Sequence, residues 1–200
     1  MERSLIKGVL FDFDDTLTYP GALDFPAIKR QLGCPLDQPI LEFLDTLPSA
    51  KRKKLMKALE AFEQEAAEIS HPNEGAERVI VELKKKGILL GILTRNSLIS
   101  VETALRNFNG ASIQDFAAII TRDESLPKPH PDGVYKAAKQ MGISTNEILM
   151  VGDFRFDIIA GKTAGANTVL LAKGRGSEIS SDDPEPDYTI THLEEILHLL

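Results

Sequence analysis

Short apolar runs alternate with amphipathic segments along most of the chain. The apolar runs are Leu5–Phe11, Ile88–Leu93, Phe116–Ile120, Ile148–Val151 and Asn167–Leu171. Nearly continuous runs of this length are typical of strands that are buried on both faces of a parallel sheet. Helical patterns near Ala76–Lys86 and Gly133–Met141 end at Gly87 and Gly142, and glycine favours the C-terminus of a helix. The pattern therefore predicts an α/β fold with a doubly wound parallel sheet in a Rossmann-like core.

One connection in this pattern is too long for a simple crossover between parallel strands. Eighty positions separate Asp14 from Thr94, whereas a crossover needs about a dozen or more. The excess is helical in pattern, because Ser49–Ile69 carries apolar side chains at helical spacing, and Ser49 is the predicted N-cap. The predicted domains are a core of residues 1–18 and 72–200 and an inserted small α-helical cap of residues 19–71.

The end of the chain is predicted to hold a loop and a short helix. Gly174–Asp187 is rich in glycine, serine, aspartate and proline, a composition that favours an exposed loop. We expect a short terminal helix to follow it.

The composition is that of an ordinary globular protein. Of the 200 residues, 42% are hydrophobic and 26% are charged, which argues against disorder. A net charge of −7 without a basic stripe disfavours a nucleic-acid partner, and no apolar run approaches the roughly 20 residues of a membrane span. The single cysteine, Cys34, cannot form an intramolecular disulfide, and the first apolar run does not resemble a signal peptide. We expect a cytoplasmic protein without a membrane partner and leave its oligomeric state open.

Acidic side chains directly follow two of the predicted strands. Asp12 and Asp14 come after the first strand, and Asp153 comes after the fourth. Because the carboxyl ends of parallel strands share one edge of the sheet, these side chains should converge where ligands bind. Carboxylates held close together repel one another unless a proton or a cation intervenes. Oxygen ligands combined with a polyanionic substrate favour Mg²⁺.

Two further strand ends supply groups that complement these carboxylates. Thr94 closes the second strand and offers a hydroxyl, and Lys128 lies between two prolines after the third. A point cation in a stiffened loop suits a phosphoryl group. Together these residues supply a nucleophile, a neighbouring acid, a hydroxyl, a lysine and a metal carboxylate. This set suits phosphoryl transfer through an aspartyl-phosphate.

Four segments of the chain resemble the haloacid dehalogenase-like hydrolases. They are DFDDTL (Asp12–Leu17), ILTRN (Ile92–Asn96), Lys128-Pro129 and VGDFRFD (Val151–Asp157). Each segment alone is a weak signal, but the four occur in the family's order across most of the chain. The insertion is similar to the small helical cap that closes over the substrate in relatives such as phosphoglycolate phosphatases and β-phosphoglucomutase.

The resemblance implies catalytic and metal-binding roles for four aspartates. Asp12 is the expected nucleophile and a Mg²⁺ ligand. Asp14 is the expected general acid and base, and it is expected to bind the metal through its backbone carbonyl. Asp153 is the expected third protein ligand. Asp157 is expected to reach the metal through water or to orient its ligands.

The resemblance also implies a set of residues that bind the substrate's phosphoryl group. Thr94, Arg95 and Lys128 are assigned to it, although Arg95 and Asn96 could instead serve to cap a helix. Dehalogenases of this family lack a carboxylate at the position of Asp14, so dehalogenation is disfavoured. Asp15 stands where the family commonly has glycine; aspartate tolerates unusual backbone angles, but a fourth carboxylate affects the metal affinity.

The predicted function is therefore Mg²⁺-dependent hydrolysis of a small phosphorylated metabolite through an aspartyl-phosphate. A phosphomutase, which transfers the group to a sugar phosphate, is the alternative within the same chemistry. A phospho-receiver signalling module is less favoured, because a receiver lacks the long insertion, and a binding protein with a decayed site is the third alternative. No residue of the cap identifies the substrate, so phosphoglycolate, a sugar phosphate, a nucleotide and pyrophosphate all stay open.

Overall fold

The structure is a computed structural model that describes residues 5–172 and 180–200. The strands within these residues form one parallel sheet. Its strands are β1 (Gly8–Phe11), β2 (Leu89–Leu93), β3 (Ala118–Ile120), β4 (Ile148–Gly152), β5 (Asn167–Leu171) and β6 (Tyr188–Ile190). They lie in the order β3-β2-β1-β4-β5-β6, and each neighbouring pair is parallel. The direction of winding reverses between β1 and β4. Ligands of such sheets bind at this switch point, outside the carboxyl ends of the strands.

Seven α-helices connect these strands within the described residues. They are α1 (Phe25–Leu32), α2 (Ile40–Asp45), α3 (Ser49–Ile69), α4 (Ala76–Lys85), α5 (Leu98–Leu105), α6 (Asp132–Met141) and α7 (Arg155–Ala164). None of the helices in the described ranges is both long enough and apolar enough to cross a bilayer.

Both faces of the sheet are buried under helices. Val9 and Phe11 of β1 lie in an apolar cluster with α4 and α5, whereas Leu10 lies in a cluster with α6 and α7. Successive side chains of a strand point to opposite faces, so a central strand covered on both sides must be apolar at every position. The prediction of a doubly wound α/β core is confirmed.

Helices α1, α2 and α3 form a small module with an apolar cluster of its own. Its buried members include Ile28, Leu32, Cys34, Ile40, Leu44, Leu59 and Ala66. Helix α3 also packs against α5 of the core, where Gln64 Nε2 donates to Thr103 Oγ1 at 3.1 Å. The inserted helical cap is therefore present, while its boundaries at residues 19 and 71 stay a prediction.

The two linkers that join this cap to the core run side by side. Thr18 and Pro72 form an antiparallel bridge, and the Tyr19 N–H donates to the His71 carbonyl at 2.8 Å. The rings of Tyr19 and His71 stack with their centroids 4.8 Å apart. The chain thus leaves the core and re-enters it at neighbouring points.

Several predicted element boundaries differ from the structure, and β3, for example, begins at Ala118 rather than at Phe116. The first strand begins at Gly8 rather than at Leu5, which is 78% exposed and lies outside the buried sheet. Ser49 is the first residue of α3 and not its N-cap, because Pro48 takes the extended cap position and no side chain caps the helix.

The C-terminal region also differs from the prediction. Strand β6 was not predicted, and Leu193–His198 is a 3₁₀-helix. Leu193 and Ile196 pack into the core beside α4, so tertiary contacts decide the form of this segment. Of the predicted loop, residues 174–179 lie outside the described residues, and residues 180–187 contain neither helix nor strand.

Candidate active site

The acidic side chains predicted from the strand ends meet at one edge of the sheet. Asp12 follows β1, and its N–H donates to the Val151 carbonyl at 2.8 Å, which extends the parallel pairing beyond the strand. Asp153 follows β4. Asp157 lies in the first turn of α7, where its Oδ2 accepts the Phe154 N–H at 3.1 Å. A carboxylate at a helix N-terminus is favourably placed, because it satisfies a free N–H group and faces the positive end of the helix.

Lys128 joins two of these carboxylates through a buried ion triad. Its Nζ lies 2.5 Å from Asp12 Oδ1 and 2.6 Å from Asp157 Oδ1, and only 3% of the lysine side chain is exposed. Burial opposes the charged form, but Asp12 and Asp157 outweigh it and raise the pKa of Lys128 above its usual value. The ammonium group is therefore charged, and it fixes the orientation of the Asp12 carboxylate.

Carboxylate oxygens of Asp12, Asp153 and Asp157 lie within 4.8 Å of one another. Burial, followed by the charges of Asp12 and Asp157, raises the pKa of Asp153 to about 8. Thr16 Oγ1 donates to Asp153 Oδ1 at 3.2 Å. Hard oxygen donors at this spacing suit a divalent cation, which would also relieve the repulsion between them. The residues present thus fit the predicted Mg²⁺.

The Asp14 carboxylate is held separately from this carboxylate group. Asn96 Nδ2 lies 3.4 and 3.3 Å from its two oxygens, and Thr94 Oγ1 lies 3.5 Å from Oδ2. Burial, with the charges of Asp12 and Glu63, raises the pKa of Asp14 to about 7. Such a carboxyl is able both to donate and to accept a proton near neutral pH.

Arg95 lies at the mouth of the site but is paired with the cap. Its guanidinium contacts Glu42 of α2 at 2.9 and 2.5 Å, an arrangement with two parallel bonds. The same group donates to the Lys128 carbonyl and lies over the Phe156 ring, 5.1 Å from its centroid. A role for Arg95 in binding the phosphoryl group stays a prediction, and it requires release from Glu42.

Asp15 adopts the left-handed backbone conformation that glycine usually supplies. Its φ is 58°, which few residues other than glycine adopt. The turn is supported by the Asp15 N–H, which donates to Thr18 Oγ1 at 3.2 Å, and by Oδ1, which accepts the Gly21 N–H at 3.1 Å. The prediction that aspartate permits this turn is confirmed.

Sequence reasoning missed several side chains around the site. Thr16 belongs to the DFDDTL segment, so that motif could have drawn attention to it. Glu42 and Glu63 come from the cap, and Arg122 follows β3. The only local signal for the two glutamates is their place on amphipathic helices, which predicts packing and not a partner.

Replacing Gly152 with alanine is expected to displace Asp157. An added Cβ would lie 2.2 Å from the Asp157 carboxylate, closer than any real contact. Because that carboxylate is buried and bonded to Lys128, we expect the free energy of unfolding to fall by about 1–3 kcal/mol. Chemical denaturation measures the change. Gly110→Ala is the control, since its Cβ would meet only a side chain at 3.3 Å; equal stability of the two variants would contradict the prediction.

The chain is similar to known proteins over most of its length. A family model described as haloacid dehalogenase-like hydrolase matches residues 18–171, a range that begins after the DFDDTL segment. An uncharacterised hydrolase of Saccharomyces cerevisiae is 35% identical over 98% of this chain and 91% of its own length. The pyrophosphatase PpaX of Bacillus velezensis is 28% identical over 100% of this chain and 98% of its own. A crystal structure of a predicted phosphoglycolate phosphatase from Haemophilus somnus has a TM-score of 0.74 at 21% identity, with 98% of each chain covered.

Proposed function

The chain belongs to the haloacid dehalogenase-like hydrolases, and from this premise we propose that it is a Mg²⁺-dependent phosphatase of the cytoplasm. Its proposed substrate is a small phosphorylated metabolite, hydrolysed through an aspartyl-phosphate. The observation that carries the proposal is the buried triad of Asp12, Lys128 and Asp157 at the sheet edge, with Asp14 held beside it. An ion pair that has a purely structural role on the protein surface does not require burial of this degree.

In the first step, the Asp12 carboxylate attacks phosphorus while the bond from phosphorus to the leaving oxygen breaks. Lys128 holds Asp12 Oδ1, so the nucleophile is oriented before the substrate arrives. Asp14 gives its proton to the leaving oxygen, and the alcohol departs. Asn96 keeps the Asp14 carboxyl in place for this transfer.

In the second step, the Asp14 carboxylate takes a proton from water, whose oxygen attacks phosphorus. The bond between Asp12 and phosphorus breaks, which releases phosphate and restores both carboxyl groups. Closure of the cap keeps other water from the intermediate.

Positioning and charge neutralisation supply most of the proposed rate enhancement. Lys128 faces the nucleophile and would offset the charge of the phosphoryl oxygens near it, while the Thr94 hydroxyl offers them a hydrogen bond. Asp12, Asp153 and the Asp14 backbone carbonyl would hold Mg²⁺, with Asp157 nearby. The bound cation supplies Lewis-acid stabilisation of charge on the phosphoryl group.

Removal of the metal tests the proposal. The protein should hydrolyse p-nitrophenyl phosphate in the presence of Mg²⁺, lose this turnover on addition of EDTA and regain it when Mg²⁺ is restored in excess. Continuous absorbance of p-nitrophenolate measures the rate. Turnover that is indifferent to EDTA would contradict the metal dependence.

Product analysis separates hydrolysis from transfer to a second substrate. Release of one inorganic phosphate per alcohol is expected for the phosphatase. Phosphate that reappears on an added sugar phosphate would instead establish the phosphomutase. Both products can be followed by ³¹P NMR in the same reaction.

A further inference from the structure

A buried ion pair joins the cap to the core beside the site. Glu63 Oε1 of α3 accepts from Arg122 Nη1 at 2.5 Å, and the two side chains are 7% and 5% exposed. The same Arg122 nitrogen donates to the Arg95 carbonyl at 3.2 Å. Arg122 therefore fixes the orientation of Glu63 relative to the segment that carries Thr94 and Asn96.

Glu63 lines a cavity, and its second carboxylate oxygen is buried. Among the residues that the structure describes, none donates a hydrogen bond to the buried Glu63 Oε2. The cavity has a volume of about 10 Å³ and is also lined by Asp14 and Asn96, and the rest of its wall consists of six apolar side chains, three hydroxyl side chains and Asp15. A buried acceptor oxygen without a donor is unfavourable, so this atom calls for a hydrogen-bond donor.

Arg122 does not offer the cavity a compensating donor. Its Nη2 is also buried without an acceptor among the described residues, but Arg122 is not among the described residues that line the cavity. A group that enters the cavity therefore meets the side chain of Glu63 and not the guanidinium.

The cavity coincides with the place of the leaving group. This step rests on the proposed function, in which Asp14 protonates the leaving oxygen. The atoms attached to that oxygen must then lie next to Asp14, which lines the same cavity as Glu63. The space in this structure holds about one water molecule, so a leaving group must displace α3 outward. Glu63 is carried on α3 and moves with this wall, and Arg122 keeps it oriented only as far as the guanidinium follows.

We propose that Glu63 determines specificity: its Oε2 accepts a hydrogen bond from a hydroxyl or ammonium group of the leaving group. The substrate class is then the monophosphates of small neutral alcohols or amino alcohols. A leaving group that carries a carboxylate or a second phosphoryl group brings a like charge against Glu63 and is selected against. Pyrophosphate and phosphoglycolate, which the sequence left open, are thereby disfavoured.

The test compares small phosphate compounds that differ in the group facing Glu63. Wild-type protein with Mg²⁺ is assayed on glycerol 1-phosphate, phosphoethanolamine, phosphoglycolate and pyrophosphate, with kcat/KM measured by phosphate release. We expect the first two to exceed the last two by about tenfold or more. In Glu63→Gln the neutral amide removes the like-charge repulsion, so this preference should fall by about tenfold, mainly through faster turnover of phosphoglycolate.

Glu60→Gln is the matched control, because Glu60 lies on the same helix and is exposed; it should leave all ratios unchanged. The kcat/KM ratios among the four substrates are measured on the wild-type protein, so they test the inference even where Glu63→Gln does not fold. Equal kcat/KM values for the charged and uncharged leaving groups would overturn it. Slowing of all four substrates by one common factor in Glu63→Gln would also overturn it, since that describes a purely structural ion pair. If the protein hydrolyses p-nitrophenyl phosphate but none of the four substrates, the inference about Glu63 is overturned as well. If it hydrolyses none of the five compounds, the proposed phosphatase itself is refuted.

Discussion

Asp12→Asn is expected to abolish phosphatase turnover while the fold persists. The amide has nearly the shape of the carboxylate but cannot form the acyl phosphate, so kcat should fall by about 10⁴-fold or more. Lys128 keeps Asp157 as its partner at 2.6 Å, so the buried ammonium is not left without a counter-charge. Steady-state hydrolysis of p-nitrophenyl phosphate measures the loss, and circular dichroism verifies the fold.

Asp123→Asn serves as the control for this variant. Asp123 lies at the same edge of the sheet, after β3, but its side chain is exposed. Its turnover should stay near that of the wild type. If Asp12→Asn retained more than a tenth of the wild-type rate, the nucleophile would have to be sought elsewhere and the aspartyl-phosphate route would be refuted.

Lys128→Met should reduce both stability and activity. Methionine fills a similar volume but leaves Asp12 and Asp157 facing each other without the ammonium that lies 2.5 and 2.6 Å from them. Breaking a buried ion pair in this way costs about 3–5 kcal/mol of unfolding free energy. Loss of a cation at the reacting group should lower kcat by about 10²–10³-fold. Urea denaturation and steady-state kinetics measure the two effects.

Lys136→Met gives the matched comparison on the surface. Lys136 pairs with Asp132 at 2.7 Å, but its side chain is 42% exposed. Exposed pairs of this kind contribute about 0–1 kcal/mol, so this variant should unfold almost like the wild type. Similar losses in the two variants would show that burial of Lys128 does not carry the effect.

The central strands could be predicted because burial on both faces leaves a continuous apolar run. This holds for β1, β2, β4 and β5, which the sequence pattern identifies to within a few residues. Strand β6 could not be found in this way. It has only three residues at the edge of the sheet, and Ile190 alone among them is buried, so it carries no periodicity to detect.

The candidate site likewise has a part that the local sequence predicts and a part that depends on tertiary packing. The carboxylates of Asp12, Asp14 and Asp153 could be placed from sequence, because each directly follows a strand whose end lies at a known edge. The pairing of Lys128 with Asp157 spans 29 positions, and that of Glu63 with Arg122 spans 59. No local pattern encodes such pairs, since the first forms only when the core folds and the second only when the cap packs on the core.

The side-by-side linkers of the cap have a consequence for the kinetics of folding. Strands β1 and β2 are neighbours in the sheet, yet the whole cap separates them along the chain. Pairing them across an unstructured segment of this length requires closure of a long loop, which costs about 2 kcal/mol more in entropy than closing a short turn. A cap that folds first brings Thr18 and Pro72 together and presents the two strands with an effectively short connection. A cap that folds before the sheet is therefore expected to make assembly of the sheet faster than an unstructured insertion of the same length would allow.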